Sequence, residues 1–268
     1  MSEPAPAMSS FAGVRGNVAT YHWSAEGPRY VAVIAHGYGE HAGRYGHLAA
    51  ALVADGAVVY ALDHHGHGQS EGDRALIRDV QDFIVDLDTL MTLARAEHPA
   101  LPVVLIGHSM GGAIAARYAQ VHADQLTGLV VSAPIVGGNP AFEALLGLDP
   151  IPEVPINPDA LSRDPAVGAA YAADPLVYHG PFLRETLQSL ISAVDTIASG
   201  GSLTMPTLWI HGDLDPLAPL EVTRGPIEHI GGTRLKEKIY PGAMHEVFNE
   251  TNRDEVVADV IAFIATVV

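Results

Sequence analysis

The stretch Val103–Gly112 reads VVLIGHSMGG, and how it is read decides the fold. A β-branched apolar run enters, Gly-His-Ser-Met-Gly turns the chain, and a helical pattern leaves through Ala113 to Val121. A serine on so sharp a strand-to-helix turn is strained. Small residues on both sides let strand and helix approach closely while Oγ projects above the sheet. The five-residue pattern alone is weak in a chain with 27 glycines. Its place between a strand and a helix makes Ser109 a candidate nucleophile.

Outward from this turn, short apolar runs ending in Gly, His or Asp recur: YVAVIAHG from Tyr30, AVVYALDHHGHG from Ala57, LVVSAP from Leu129 and LWIHGDLD from Leu208. Runs apolar on both faces are what buried parallel strands require. Helical patterns separate them, notably Asp79 to Glu97, and a last amphipathic stretch covers Asn252 to Val268. The alternation predicts an α/β protein with a mostly parallel, doubly wound sheet, and the serine turn narrows this to an α/β-hydrolase fold. The alternation stops between Gly137 and Gly201, where Pro150, Pro152, Pro155 and Pro158 sit among apolar residues. An insertion leaving after the strand that ends near Ser132 lies over the carboxyl ends of the strands, where open α/β sheets bind ligands. The expected organisation is a disordered tail over 1–12, a hydrolase core over 13–136 and 202–268, and an inserted cap over 137–201. Within the cap, Phe142, Leu145 and Leu146 form an apolar stripe, expected to pack down on the core.

At 268 residues the chain suits one large domain. A net charge of −17, with Lys236 and Lys238 the only lysines, argues against a nucleic-acid partner and against acidic substrates. With no cysteine there is neither a disulfide framework nor a thiol nucleophile. The opening MSEPAPAMSSFAGVRG lacks the basic start and apolar run of a signal peptide, and no stretch approaches eighteen uninterrupted apolar residues. A cytoplasmic or loosely membrane-associated protein is expected.

A serine hydroxyl needs a base, and in this fold the chain order is serine, acid, histidine. His245, in YPGAMHEVF, lies between the probable last strand LKEKIY and the final helix, so its ring can reach across the rim. HGDLDP offers two acids just beyond a strand. Asp215 lies further into the loop, where it can turn towards the histidine, whereas Asp213 beside Gly212 can equally brace the turn. Two backbone N–H groups must meet the developing oxyanion, and Met110 and Tyr38 are the candidates. His64, His65 and His67 are close in sequence, but adjacent side chains in a turn diverge and no further ligand string accompanies them, so no metal and no cofactor is expected in the chemistry.

HGYGEHAGRY (His36 to Tyr45), DHHGHGQSEG (Asp63 to Gly72), GHSMGG, HGDLDP and GAMHEVFNE together resemble the monoacylglycerol lipases over nearly the whole chain. The resemblance implies a triad of Ser109, Asp215 and His245, an oxyanion loop around Tyr38, and a glycerol pocket involving Glu40 and Arg44. Bottom-up, the Glu40 and Arg44 pair can hydrogen-bond polyol hydroxyls or stiffen the loop as a salt bridge. The stretch Gly138 to Pro158 departs from the family's usual helical cap in being short and proline-rich. The expected partners are a small lipid ester and, transiently, a lipid surface met by the cap. The rival readings are a lysophospholipase or general carboxylesterase with the same triad and, from another class, a hydrolase-fold binding protein with negligible turnover.

Overall fold

The computed structural model describes residues 5–268. Its frame is one sheet of eight strands in the order β1-β2-β4-β3-β5-β6-β7-β8. The strands are β1 (Ala7–Gly13), β2 (Gly16–Trp23), β3 (Tyr30–Ala35), β4 (Ala57–Leu62), β5 (Val103–His108), β6 (Gly128–Ser132), β7 (Thr207–Gly212) and β8 (Leu235–Tyr240). From β4 to β8 all pairings are parallel, and β1 and β2 add an antiparallel edge. Strands β3 to β7 are buried at every residue, which is why they read as unbroken apolar runs.

Helices cover both faces: α1 (Gly46–Ala54), α2 (Val80–Glu97), α3 (Met110–Val121), α4 (Pro140–Leu146), α5 (Pro165–Ala173), α6 (Arg184–Ser199), α7 (Leu220–Gly231) and α8 (Arg253–Ile264). Helix α2 begins where Asp79 accepts a hydrogen bond from the Gln81 N–H, and its Phe83, Ile84, Leu87 and Leu90 pack on Val31, Val58 and Leu105 of the sheet. On the opposite face α1 and α8 enclose Tyr30, Ile34, Ile106 and Phe248. No helix among the described residues is long and apolar enough to cross a membrane.

One expectation is corrected here. Residues 7–12, assigned to a disordered tail, belong with Gly13 to β1, paired in full register with β2. AMSSFAG carries almost no apolar alternation and is largely exposed, so its order comes from the ladder with β2 and from Phe11 resting on the core. Of the rest of that tail, residues 5 and 6 precede the strand without regular structure, and residues 1–4 lie outside the described residues.

Between β6 and β7 the chain leaves the sheet and makes α4, α5 and α6, the region expected to be a cap. Asn139 and Asp164 each cap a helix with a proline at its first turn. Residues 147–157, the proline-rich stretch, contain neither helix nor strand. Helix α4 buries no residue fully; Phe142 leans on the core and stacks obliquely on Phe182, ring centroids 5.4 Å apart.

Candidate active site

Four strand ends deliver the candidate residues to one rim: β5 hands over to Ser109, β3 to Gly37 and Tyr38, β7 to Asp215 and β8 to His245. Ser109 has φ 54° and ψ −117°, a left-handed conformation unusual for a residue with a Cβ and the signature of a strained nucleophile turn. Its N–H donates to the Ser132 carbonyl at 2.9 Å and its carbonyl accepts from the Ala113 and Ile135 N–H groups, so neighbours on β6 and α3 hold the strain. The flanking glycines are sterically required. A Cβ on Gly107 would run into the Gly111 carbonyl, and one on Gly111 into the Ala35 carbonyl.

The base and acid meet. His245 Nδ1 donates to Asp215 Oδ2 at 2.8 Å, and both side chains are nearly inaccessible. Asp215 Oδ1 accepts from the Leu217 and Ala218 N–H groups at 2.8 and 2.9 Å, so both oxygens of the carboxylate are engaged. Burial alone would push the Asp215 carboxyl up, yet the His245 imidazole and the hydrogen bonds together hold it well below its ordinary value. The reverse holds for His245. Burial disfavours the imidazolium, but the adjacent Asp215 carboxylate outweighs it and raises the pKa above the ordinary histidine value. Asp213 does not take part: its Oδ1 accepts from the Gly242 N–H at 2.6 Å and braces the turn.

One brace escaped the sequence reading. His211, fully buried on β7, accepts from Trp209 Nε1 at 3.0 Å through Nδ1, which leaves the proton on Nε2. That proton points at the Ala218 carbonyl, 2.7 Å away, and passes 3.3 Å from Asp215 Oδ2. Alternation along WIHG was the available signal, since it turns His211 away from the side chain of Ile210.

Met110 opens α3, where the first N–H groups of a helix have no intrahelical partner. The Tyr38 backbone lies in the loop across from it, and both residues line the same pocket. The loop is held by Glu40, whose Oε1 accepts from the Gly37 N–H at 2.6 Å and from Tyr45 Oη at 2.6 Å, while Oε2 accepts from Arg44 at 2.6 Å. Arg44 also grips Glu246 with two parallel hydrogen bonds of 2.7 and 2.8 Å. Glu40 and Glu246 line the pocket, whereas Arg44 stands behind them. The rings of His64 and His67 pack beneath this loop, against His36, while His65 turns away to Phe83, with Asp86 beyond it. His36 Nε2 accepts the His64 N–H at 2.9 Å, and His36 Nδ1 donates to the Gly37 carbonyl at 2.7 Å.

The pocket encloses about 320 Å³ and contains Ser109, His108 and His245. One end is polar, with Glu40, Glu246 and Tyr171, whose buried hydroxyl has no hydrogen-bond partner. The remainder is walled by Phe142, Leu145, Val154, Ile156, Phe182, Leu190 and Leu217. The cap stripe thus lines the cavity with two of its three members. A larger cavity, about 590 Å³, opens between α2, α3 and α6, but its wall, charged through Arg78, Arg117 and Glu185, contains no histidine.

Residues 26–252 match the family described as serine aminopeptidase, S33. A monoacylglycerol lipase of Mycolicibacterium smegmatis is 42% identical, the alignment covering 96% of each chain. The chain belongs to the monoacylglycerol lipase family. Its solved relatives agree in shape. The monoacylglycerol lipase of Paleococcus ferrophilus superposes with a TM-score of 0.79 at 27% identity, over 93% of this chain and 99% of that one. A carboxyl esterase of Bacillus coagulans, crystallised with glycerol, superposes at 0.83 with 28% identity, over 98% and 99%. The family and the fold make this chain a serine ester hydrolase of the α/β-hydrolase class.

Proposed function

We propose that the chain hydrolyses monoacylglycerols to fatty acid and glycerol through an acyl-enzyme on Ser109. The observation that carries this reading is that the pocket holding Ser109 joins a long apolar wall to the polar group of Glu40, Glu246 and Tyr171. An acyl chain lies along Phe142, Leu145 and Leu190, and a small polyol meets Glu40, Glu246 and the free Tyr171 hydroxyl. Ser109 Oγ attacks the ester carbonyl as His245 takes its proton, with Asp215 orienting the ring and stabilising the imidazolium. The Tyr38 and Met110 N–H groups receive the oxyanion. The tetrahedral intermediate collapses, glycerol leaves with the proton from His245, and a water activated by the same histidine releases the fatty acid.

Charge favours a neutral head group. Arg44 is already shared between Glu40 and Glu246, so the polar end has a surplus of carboxylate that would repel a lysophospholipid phosphate. Exposed Leu148 and Val154, in the proline-rich stretch beside the mouth, are the surface we assign to transient lipid contact. The test is kcat/KM over a panel of mono-, di- and triacylglycerols and lysophospholipids of one acyl chain. Monoacylglycerol is expected to lead by a wide margin, because a polar pocket left unpaired rejects the wrong substrate strongly. A triacylglycerol or lysophospholipid at the head of the ranking would sink the assignment and leave only the serine esterase.

A further inference from the structure

Away from the pocket, His22, Glu97 and His98 bring one ligand atom each to within 4.8 Å of one another, the one such group among the described residues. The three come from two elements. His22 lies on β2, opposite Tyr60 of β4. Glu97 ends α2, and His98 caps it with φ −132° and ψ 62°, outside the helical region, so two consecutive residues can turn to one point. We propose that this cluster is a binding site for a divalent transition-metal ion of the zinc type, with His22, Glu97 and His98 as ligands and water in the fourth position.

A single residue, Tyr60, organises all three. Its ring stacks on His22 at a centroid distance of 4.5 Å and 12° between planes, meets the His98 ring edge-on at 6.2 Å, and its hydroxyl donates to Glu97 Oε2 at 2.6 Å. Ligand side chains fixed from behind by a hydrogen bond or by packing are the pattern of built metal sites, where such outer contacts set the orientation of the donors. His22 Nε2 is buried and has no hydrogen-bond partner, a cost that a metal bond or an ordered ligand removes. Two imidazoles and a carboxylate suit zinc, whereas magnesium and calcium prefer all-oxygen shells. Helix α2 ends here and hands the chain back to the start of β5, on the side away from the carboxyl ends that carry Ser109. The ion therefore clamps the antiparallel edge to α2 and plays no part in ester cleavage.

The experiment is zinc titration by calorimetry on the whole chain after chelator treatment, with magnesium as the contrasting probe. One equivalent of zinc is expected to bind and raise the Tm, magnesium to do neither, and kcat/KM to be equal with and without that equivalent. His22→Ala and His98→Ala are each expected to weaken zinc at least about tenfold. Tyr60→Phe keeps all three donors but frees Glu97, and loses about tenfold, the lower end of what outer-contact mutations cost. Circular dichroism checks the fold of each variant, and should His22→Ala not fold, the other two carry the test. Absence of zinc binding, or equal affinity in wild type and the folded variants, overturns the proposal by placing any bound ion among the other histidines.

Discussion

Two groups of buried histidines flank the pocket, and the same side chain behaves oppositely in them. His245 is raised in pKa despite its burial because the Asp215 carboxylate sits 2.8 Å from Nδ1. His36, His64 and His67, beneath the oxyanion loop, are pushed down by burial, His67 to about 3, and neighbouring imidazoles reinforce the shift. No carboxylate bonds to these three rings. They serve as neutral packing and as hydrogen-bond links, stapling the loop to the turn after β4. A histidine bonded to a carboxylate can accept a proton during turnover, whereas one bonded only to neutral groups is destabilised by protonation, so the neighbour and not the burial assigns the role.

The largest effect should separate the groups outright. His245→Ala and Ser109→Ala should each lower kcat by roughly 10³–10⁶ while leaving the fold intact, as in other serine triads. His67→Gln, on the other side of the contrast, should retain kcat within about tenfold, since it touches no reacting atom. Steady-state kinetics on a soluble ester, with circular dichroism for the fold, checks all three. Comparable losses at His67 and His245 would erase the distinction.

Next comes the acid. Asp215→Asn should cost about 10³–10⁴ in kcat, the loss seen when the carboxylate that orients a triad histidine becomes an amide. Asp213→Ala gives up only the bond it accepts from the Gly242 N–H and should cost about 1 kcal/mol of stability, with little change in rate. Because Asp215 raises the His245 pKa, wild-type kcat/KM should fall as pH drops through a value above 6.5, the ordinary histidine pKa. In Asp215→Asn the residual activity should show that limb at lower pH. A limb that stays in place would mean that the carboxylate does not set the histidine's affinity for protons.

What the sequence disclosed follows the same division. Buried parallel strands and the motifs at their ends were legible because both faces are apolar and the candidate residues sit at fixed offsets: Ser109 between glycines, Asp215 in HGDLDP, His245 after the last strand, the last two of which the structure brings into contact. Illegible parts depend on partners distant in sequence. Strand β1 is ordered by its ladder, not by its residues. Tyr171 reaches the pocket from α5, where nothing in the sequence marks its hydroxyl for the pocket, and the role of Arg44, behind Glu40 and Glu246, is visible only once residues 202 apart are seen to be bonded.

A smaller effect concerns substrate choice. Tyr171→Phe should lower kcat/KM for monoacylglycerol by about tenfold, the worth of one hydrogen bond, and leave a phenyl ester of the same acid almost unchanged. Glu40→Gln should harm both substrates, because Glu40 also holds the Gly37 N–H and so shapes the oxyanion loop. Parallel losses in Tyr171→Phe would show that the hydroxyl does not meet glycerol.

The smallest effect is in stability, and here the two groups have opposite signs. His36, His64, His67 and His108 have lowered pKa values, so below about pH 6.5 the unfolded chain binds protons that the folded one refuses, and stability falls as pH drops. His245, raised, contributes stability that is present below its unfolded value of 6.5 and is lost as pH rises through the folded one. His22 is lowered too, and five against one predicts a net loss on acidification. Urea midpoints at pH 7.5 and 5.5 should show it, flattened in His67→Gln and steepened in His245→Gln. Unaltered slopes in both variants would show that neither group titrates as described.

The most direct test of the whole account is covalent capture of the nucleophile. The chain, treated with a p-nitrophenyl alkyl phosphonate, which loses p-nitrophenolate as the serine oxygen bonds to phosphorus and leaves a mimic of the tetrahedral intermediate, should gain one adduct by intact mass, and peptide mapping should place it on Ser109. Labelling should vanish in Ser109→Ala, slow by at least about 10³ in His245→Ala, and stay near wild type in His67→Gln. An adduct on another residue, or undiminished labelling in His245→Ala, would contradict a Ser109 nucleophile activated by His245.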